Sequence, residues 1–238
     1  MIEITKLSHH YGEQQALTNI NLHIERGEIV ALVGCNGAGK STLMKILTTA
    51  ILPSEGSVKI AGHDIFNENF ALKSKIGYLP ENNPLYDDML VYDSLKTVAM
   101  QRALRSDALK SAMQRVVERC GLSEIMHKRV GELSKGLRQR LGFAQAVVHE
   151  PEVVLLDEPS SGLDPIQIEE MRQLIRELGS EKTVILSTHI LQEVDALATR
   201  LIILHKGELR LDAKRETLYG DKQASPALLQ SIFENSIL

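Results

Sequence analysis

Short strand-like segments, mostly alternating apolar and polar and separated by turn residues, dominate the first 65 positions of the chain. Ile2 to Leu7, Ala16 to Ile24, Glu28 to Val33 and Ser57 to Ile60 read as strands, punctuated by Tyr11-Gly12, Arg26-Gly27 and Pro53-Ser54-Glu55-Gly56. One helix interrupts them, beginning near Lys40 directly after a glycine-rich loop. From about Pro84 to Glu150 the period changes. Asp93 to Arg105, Asp107 to Cys120 and Ser134 to His149 carry apolar residues three and four positions apart, which predicts three amphipathic helices inserted into a sheet. Val153 to Asp157 then reads as a strand covered on both faces, followed by a helix from Pro165, a strand at Thr183 to Ser187 and a helix from Ile190. Leu201 to Leu204 and Glu208 to Leu211 flank Lys206-Gly207 as a hairpin. After Ser225-Pro226, a last helix gathers Leu228, Leu229, Ile232 and Phe233 on one face, to pack on its own domain or to mediate assembly.

Composition narrows the classes this α/β chain can belong to. At 43% apolar and 24% charged residues over 238 positions, it has material for a sizeable core. The longest apolar runs are strand-sized, far short of the roughly 18 residues of a membrane span. Met1 to Lys6 alternates like a half-buried strand and lacks the layout of a signal peptide. Lys plus Arg number 27 against 31 Asp plus Glu, and the basic residues are scattered, so nucleic acid is not an expected partner. Cys35 and Cys120 cannot build a disulfide framework and read as reduced cytoplasmic thiols, and the histidines, His9-His10 included, show no metal-binding spacing.

Four segments carry candidate chemistry. Gly34-Cys35-Asn36-Gly37-Ala38-Gly39-Lys40-Ser41-Thr42 fits G-x-x-x-x-G-K-[ST] between an apolar strand and a helix. Such a loop turns backbone N–H groups toward phosphate oxygens, with Lys40 as a point charge and Ser41 as a Mg²⁺ ligand. Asp157-Glu158 ends a buried strand at the edge where nucleotides bind, so Asp157 is a candidate Mg²⁺ holder and Glu158 a candidate general base. Taken alone, the pair reads equally as solvated or capping acids. His189, 32 residues after Asp157, stands just past another strand and can bridge Glu158, the γ-phosphate and the attacking water, or simply precede a helix as a neutral cap. Finally, Ser134 is a natural N-cap opening Ser134-Lys135-Gly136-Leu137-Arg138-Gln139-Arg140, a helix start able to hold an anion or an ordinary capped helix with a basic wet face.

The order of these segments, over roughly residues 1 to 218, resembles the ATP-binding cassette family, specifically the nucleotide-binding subunit of an ABC transporter. The resemblance implies a P-loop NTPase fold with a mixed or parallel sheet, an N-terminal antiparallel β-subdomain and a helical lobe at about 84–150, residues 219–238 forming a short C-terminal extension. It implies that Gly34 to Thr42 bind ATP, that Tyr11 stacks on adenine, and that Ser41, Asp157 and Glu81 serve Mg²⁺. It further implies that Ser161 to Asp164 is the D-loop, that His189 is the switch histidine, and that Ser134, Lys135 and Gly136 belong to the signature that closes over the ATP of a second copy. The expected partners are that second copy, as a homodimer, and a separate membrane permease holding the chain at the inner face of the cell membrane. Two positions depart from the usual pattern: Glu81 replaces a glutamine, and the signature reads Leu-Ser-Lys-Gly-Leu. Glu81 can accept from metal-bound water but cannot donate. These departures resemble the branch serving ABC-2-type exporters. A soluble ATP-gated clamp of the same family is the competing class, although its members usually carry a coiled-coil insertion or two cassettes. A P-loop kinase would leave the Ser134 series and His189 unexplained.

Overall fold

The computed structural model describes residues 1–67, 69–219 and 226–237. β1 (Ile2–Tyr11) and β2 (Gln14–Ile24) form an antiparallel hairpin, and β3 (Ile29–Val33) leads through the glycine-rich loop into α1 (Lys40–Leu47). β4 (Glu55–Ile60) and β5 (His63–Asp64) complete an antiparallel sheet of order β2-β1-β4-β5. α2 (Asn69–Lys75) and β6 (Ile76–Leu79) precede the helices α3 (Val91–Gln101), α4 (Ser106–Arg119) and α5 (Lys135–Val147). Strands and helices then alternate through β7 (Val153–Asp157), α6 (Pro165–Gly179), β8 (Thr183–Thr188) and α7 (Leu191–Leu197). The hairpin β9 (Arg200–His205) and β10 (Glu208–Lys214), then α8 (Arg215–Tyr219) and α9 (Pro226–Ile237), end the described chain. The second sheet has the order β10-β9-β3-β8-β7-β6 and is parallel except at its β9–β10 edge.

Continuous apolar strands are explained by what lies on each face of this second sheet. Val30, Leu32, Val153, Leu155 and Ile185 pack with α1 and the antiparallel sheet, in one core layer. Their neighbours Val154, Leu156, Val184 and Leu186 point the other way, into a layer shared with Phe143 and Leu141 of α5 and Ile175 and Leu178 of α6. A third cluster joins Ala31, Val33, Leu201 and Ile203 to Val194 of α7. Leu229 is buried in it, with Leu228, Ile232 and Phe233 packed alongside, so the apolar face of the last helix serves its own domain; Ser225 lies outside the described residues.

Two elements escape a reading by periodicity. β6 spans four residues around Gly77, and α2 is polar at most positions. α3 also ends at Gln101 rather than Arg105, because Ala103 takes a left-handed φ of 63°. Gly77 matters for the junction between sheet and helices: a Cβ there would lie 2.2 Å from the carbonyl oxygen of Ala146 in α5 and 2.9 Å from Cγ of Pro151. Gly77→Ala must therefore push β6 away from α5. The expected cost is that of overpacking, about 1–3 kcal/mol, read as a lowered midpoint in denaturant unfolding with an unchanged slope.

Candidate active site

β3 is buried along its whole length and stops at Val33, where the chain turns into the loop from Gly34 to Gly39. Gly39 has a φ of 105°, and a Cβ at this position would lie 2.7 Å from Leu17 and 2.8 Å from the carbonyl of Ala16. Only glycine fits here. Because Gly39 caps α1 without a side chain, the first N–H groups of that helix stay open to an anion. Lys40 is 8% exposed, and its ammonium donates to the carbonyls of Gly34 at 2.6 Å and Cys35 at 3.3 Å, folded back over the loop. The β9–β10 turn braces the loop from outside: Gly207 N–H donates to the carbonyl of Ala38 at 3.0 Å, and Thr18 N–H to that of Gly207 at 2.8 Å.

Parallel pairing brings the acidic strand to the same edge. Asp157 is buried opposite Ser187 in the register and accepts from its hydroxyl. One residue on, Glu158 adopts a left-handed φ of 49°, held by its N–H donating to both the carbonyl (3.1 Å) and the hydroxyl (3.2 Å) of Ser187. This conformation costs a non-glycine residue on the order of 1–3 kcal/mol and is typical of functional sites. His189 Nδ1 donates to Glu158 Oε2 at 2.8 Å, with the imidazole 63% exposed and the carboxylate 12%. Behind them, burial first and then the charge of Asp157, its hydrogen bond and the charge of Glu81 push the phenol of Tyr78 up to about 12.

The structure places Tyr11, the loop from Gly34 through Cys35, Asn36, Gly37, Ala38, Gly39, Lys40 and Ser41 to Thr42, and Glu81, Asp157, Glu158 and His189 around one cavity of about 800 Å³. That volume suits a nucleotide-sized ligand. Ser134, Lys135 and Gly136 stand elsewhere. Ser134 Oγ caps α5 by accepting from Leu137 N–H at 3.4 Å. Gly136 abuts Gln167 in the first turn of α6, and the Lys135 ammonium lies over Gly162. Among the described residues no three His, Cys, Asp or Glu side chains converge on a metal position. Ser41, Glu81 and Asp157 line the cavity together, a donor set that fits Mg²⁺, which uses one or two carboxylates and completes its shell with phosphates and water. The sequence reading assigned no role to Ser187, Tyr78, or the wall residues Gln14, Gln15 and Ala16. Ser187 had a signal, as a polar residue beside Thr188 at the end of an otherwise apolar strand.

Comparison with known proteins fits this geometry. The family model described as "ABC transporter" matches residues 17–161, and one for an AAA domain matches residues 129–195. The lantibiotic transport ATP-binding protein SrtF of Streptococcus pyogenes is 35% identical over 239 residues, covering 100% of this chain and 98% of its own. This chain belongs to the ABC transporter family, as an ATP-binding protein. The bacitracin transport ATP-binding protein BcrA of Enterococcus faecalis is 37% identical over 88% of this cassette and 68% of its own length. Among solved structures, a dimeric post-hydrolysis state of an ATP-binding cassette bound to ADP and Pi superposes with a TM-score of 0.81 at 26% identity, covering 90% of this chain and 98% of that one. The chain is thus an ABC ATPase with the P-loop NTPase fold.

The two free thiols provide a check on the cavity. Cys35 is exposed on the loop, whereas Cys120 is buried and its thiol is pushed up to about 12 by burial. MgATP is expected to slow maleimide labelling of Cys35 while Cys120 stays unlabelled in the folded protein. Equal Cys35 labelling with and without nucleotide would remove this residue from the nucleotide's footprint.

Proposed function

We propose that this ABC ATPase is one of two identical motor subunits that close around two ATP molecules and drive a separate membrane permease in the export direction. The observation that carries the reading is the meeting, in one cavity, of the Lys40 loop with the hydrogen-bonded Glu158–His189 pair. Tyr11 is the adenine platform. The loop N–H groups and the α1 N-terminus take the phosphates, and Lys40 exchanges its contacts with the Gly34 and Cys35 carbonyls for phosphate oxygens. Ser41, Asp157 and Glu81 would hold Mg²⁺, which when bound neutralises charge on the phosphates. Glu158 polarises the attacking water and accepts its proton, while His189 holds that carboxylate in place and offers its other ring nitrogen to the γ-phosphate.

Half of the site comes from the second copy. Support for this is the position of Ser134, Lys135 and Gly136 outside the cavity lined by their own chain, at a capped helix start able to receive the ATP of a partner. Permease contact is assigned to the segment from Glu81 to Asp88 and its surroundings. Tyr86 there is 75% exposed, with Leu90 and Tyr92 also open to solvent. The same segment is stitched to α5: Asn83 Nδ2 donates to the carbonyl of Arg138 at 2.7 Å, and Arg138 Nη1 to Asp87 at 2.6 Å. A push on this loop therefore reaches the Ser134 helix start directly. We divide the chain into an ATPase domain at 1–218, with its helical lobe at about 84–150, and a C-terminal extension from 219. No helix among the described residues is long and apolar enough to cross a membrane, so the bilayer-crossing part is assigned to the permease. Export as an ABC-2-type system draws on the departures at Glu81 and Lys135, and on relatives whose names concern bacitracin and lantibiotic transport.

Glu158→Gln tests the chemistry. It is expected to keep MgATP affinity and lose hydrolysis by on the order of 10²–10⁴-fold; near-normal turnover by the purified variant refutes the assignment. Co-purification in detergent with a polytopic membrane protein encoded beside it tests the transport reading, which fails if the cassette is recovered without that protein.

A further inference from the structure

His189 is carried by a turn whose two ends are both tied to Glu193, one through its buried carboxyl and the other through its backbone N–H. Thr188, fully buried at the end of β8, donates its hydroxyl proton to Glu193 Oε2 at 2.5 Å. The same hydroxyl oxygen accepts the N–H of Ile190 at 3.0 Å. Glu193 in turn donates its own N–H to the carbonyl of Ile190 at 3.0 Å, and it is only 1% exposed. Thus Thr188 is bonded to the Glu193 carboxyl and Ile190 to the Glu193 backbone, and the two are joined to each other through the Thr188 hydroxyl.

The arrangement is not an ordinary helix cap. A glutamate three residues into a helix usually accepts directly from the N-cap N–H. Here the N-cap is Ile190, and the Thr188 hydroxyl stands between its N–H and the carboxyl. A hydroxyl has one proton, so once Glu193 takes it the lone pairs have to face Ile190. Glu193 fixes a rotor that could otherwise turn toward a backbone carbonyl. The other carboxyl oxygen, Oε1, is buried without a hydrogen-bond partner among the described residues. Such a group costs stability. The other oxygen satisfies the buried Thr188 hydroxyl, yet an apolar pair at both positions would avoid the cost altogether, so the pair is more than packing requires.

We propose that Glu193 is a positioning residue of the active site, which acts through Thr188 to fix both backbone neighbours of His189 and so sets the approach of the imidazole to Glu158. On its other side the strand end is tied to Glu158 through Ser187, so the base and its histidine are aligned from two directions. The inference rests on the roles given above to Glu158 and His189.

The test measures steady-state ATPase rate and MgATP affinity of the full chain, with each variant made both alone and in a His189→Ala background. Thr188→Val is nearly isosteric and suits a strand, so the hydroxyl is lost with little change of volume. A misplacement of about 1 Å at a reacting centre can cost on the order of 100-fold, and Thr188→Val and Glu193→Ala are expected to lower the rate by roughly 10- to 100-fold with nucleotide affinity unchanged. Thr188→Ser, which keeps the hydroxyl, and Glu193→Gln, which keeps an acceptor, are expected to restore most of it. In the His189→Ala background Thr188→Val should add no further loss. An equal fold-loss in both backgrounds, or a loss of affinity in step with rate, overturns the proposal and makes the pair a support of the fold. A His189→Ala variant with the parental rate overturns instead the role of His189 itself.

Discussion

Backbone pairing of Val33 with Thr188, and of Asp157 with Ser187, fixes where β3, β7 and β8 stop relative to one another, and the chemistry depends on that common stopping line. Each strand is buried on both faces, so none can slide without moving apolar residues between two core layers. The loop bearing Lys40, the turn bearing Glu158 and the turn bearing His189 therefore emerge at one edge, as expected where an open α/β sheet meets its ligand. The left-handed turn at Glu158 is the local cost of this arrangement, and the bonds from its N–H to Ser187 offset it.

The cavity brings both signs of charge together. Glu81, Asp157 and Glu158 line it along with Lys40 and the phosphate loop, and the Tyr78 phenol, raised first by burial, is raised further by the charges of Asp157 and Glu81. A triphosphate alone would meet repulsion from these carboxylates, which a divalent cation relieves. The replacement of the usual glutamine by Glu81 adds to that repulsion. It also places a charge at the start of the loop tied to α5 through Asn83 and Asp87.

Much of this was legible in the sequence because the informative residues are chemically special and ordered. The loop from Gly34 to Thr42 announces itself by its glycines and its lysine, and Val153 to Asp157 by an apolar run ending in an acid. β6 and α2 were not legible, since four residues around a glycine carry no usable period and the seven residues of α2 are too few to show one, although Leu72 is buried. Neither was the network behind the site. Ser187 meets Asp157 and Glu158 only after β7 and β8 have paired, and the Thr188–Glu193 bond, though only five residues long, forms across a turn whose shape no apolar period announces. For Ser134 the capping role could be read locally, and its separation from the loop of its own chain followed only from the family resemblance.

The turn at Lys206-Gly207 has a thermodynamic consequence. By clamping Ala38 on one side and Thr18 on the other, it holds the phosphate loop to both sheets through protein–protein hydrogen bonds. The loop's conformational entropy is spent during folding, so an incoming nucleotide meets a finished mould and loses little affinity to ordering it. In the proposed binding mode, discrimination among nucleotides then falls to the margin around exposed Tyr11, where the base rather than the phosphates would do the choosing.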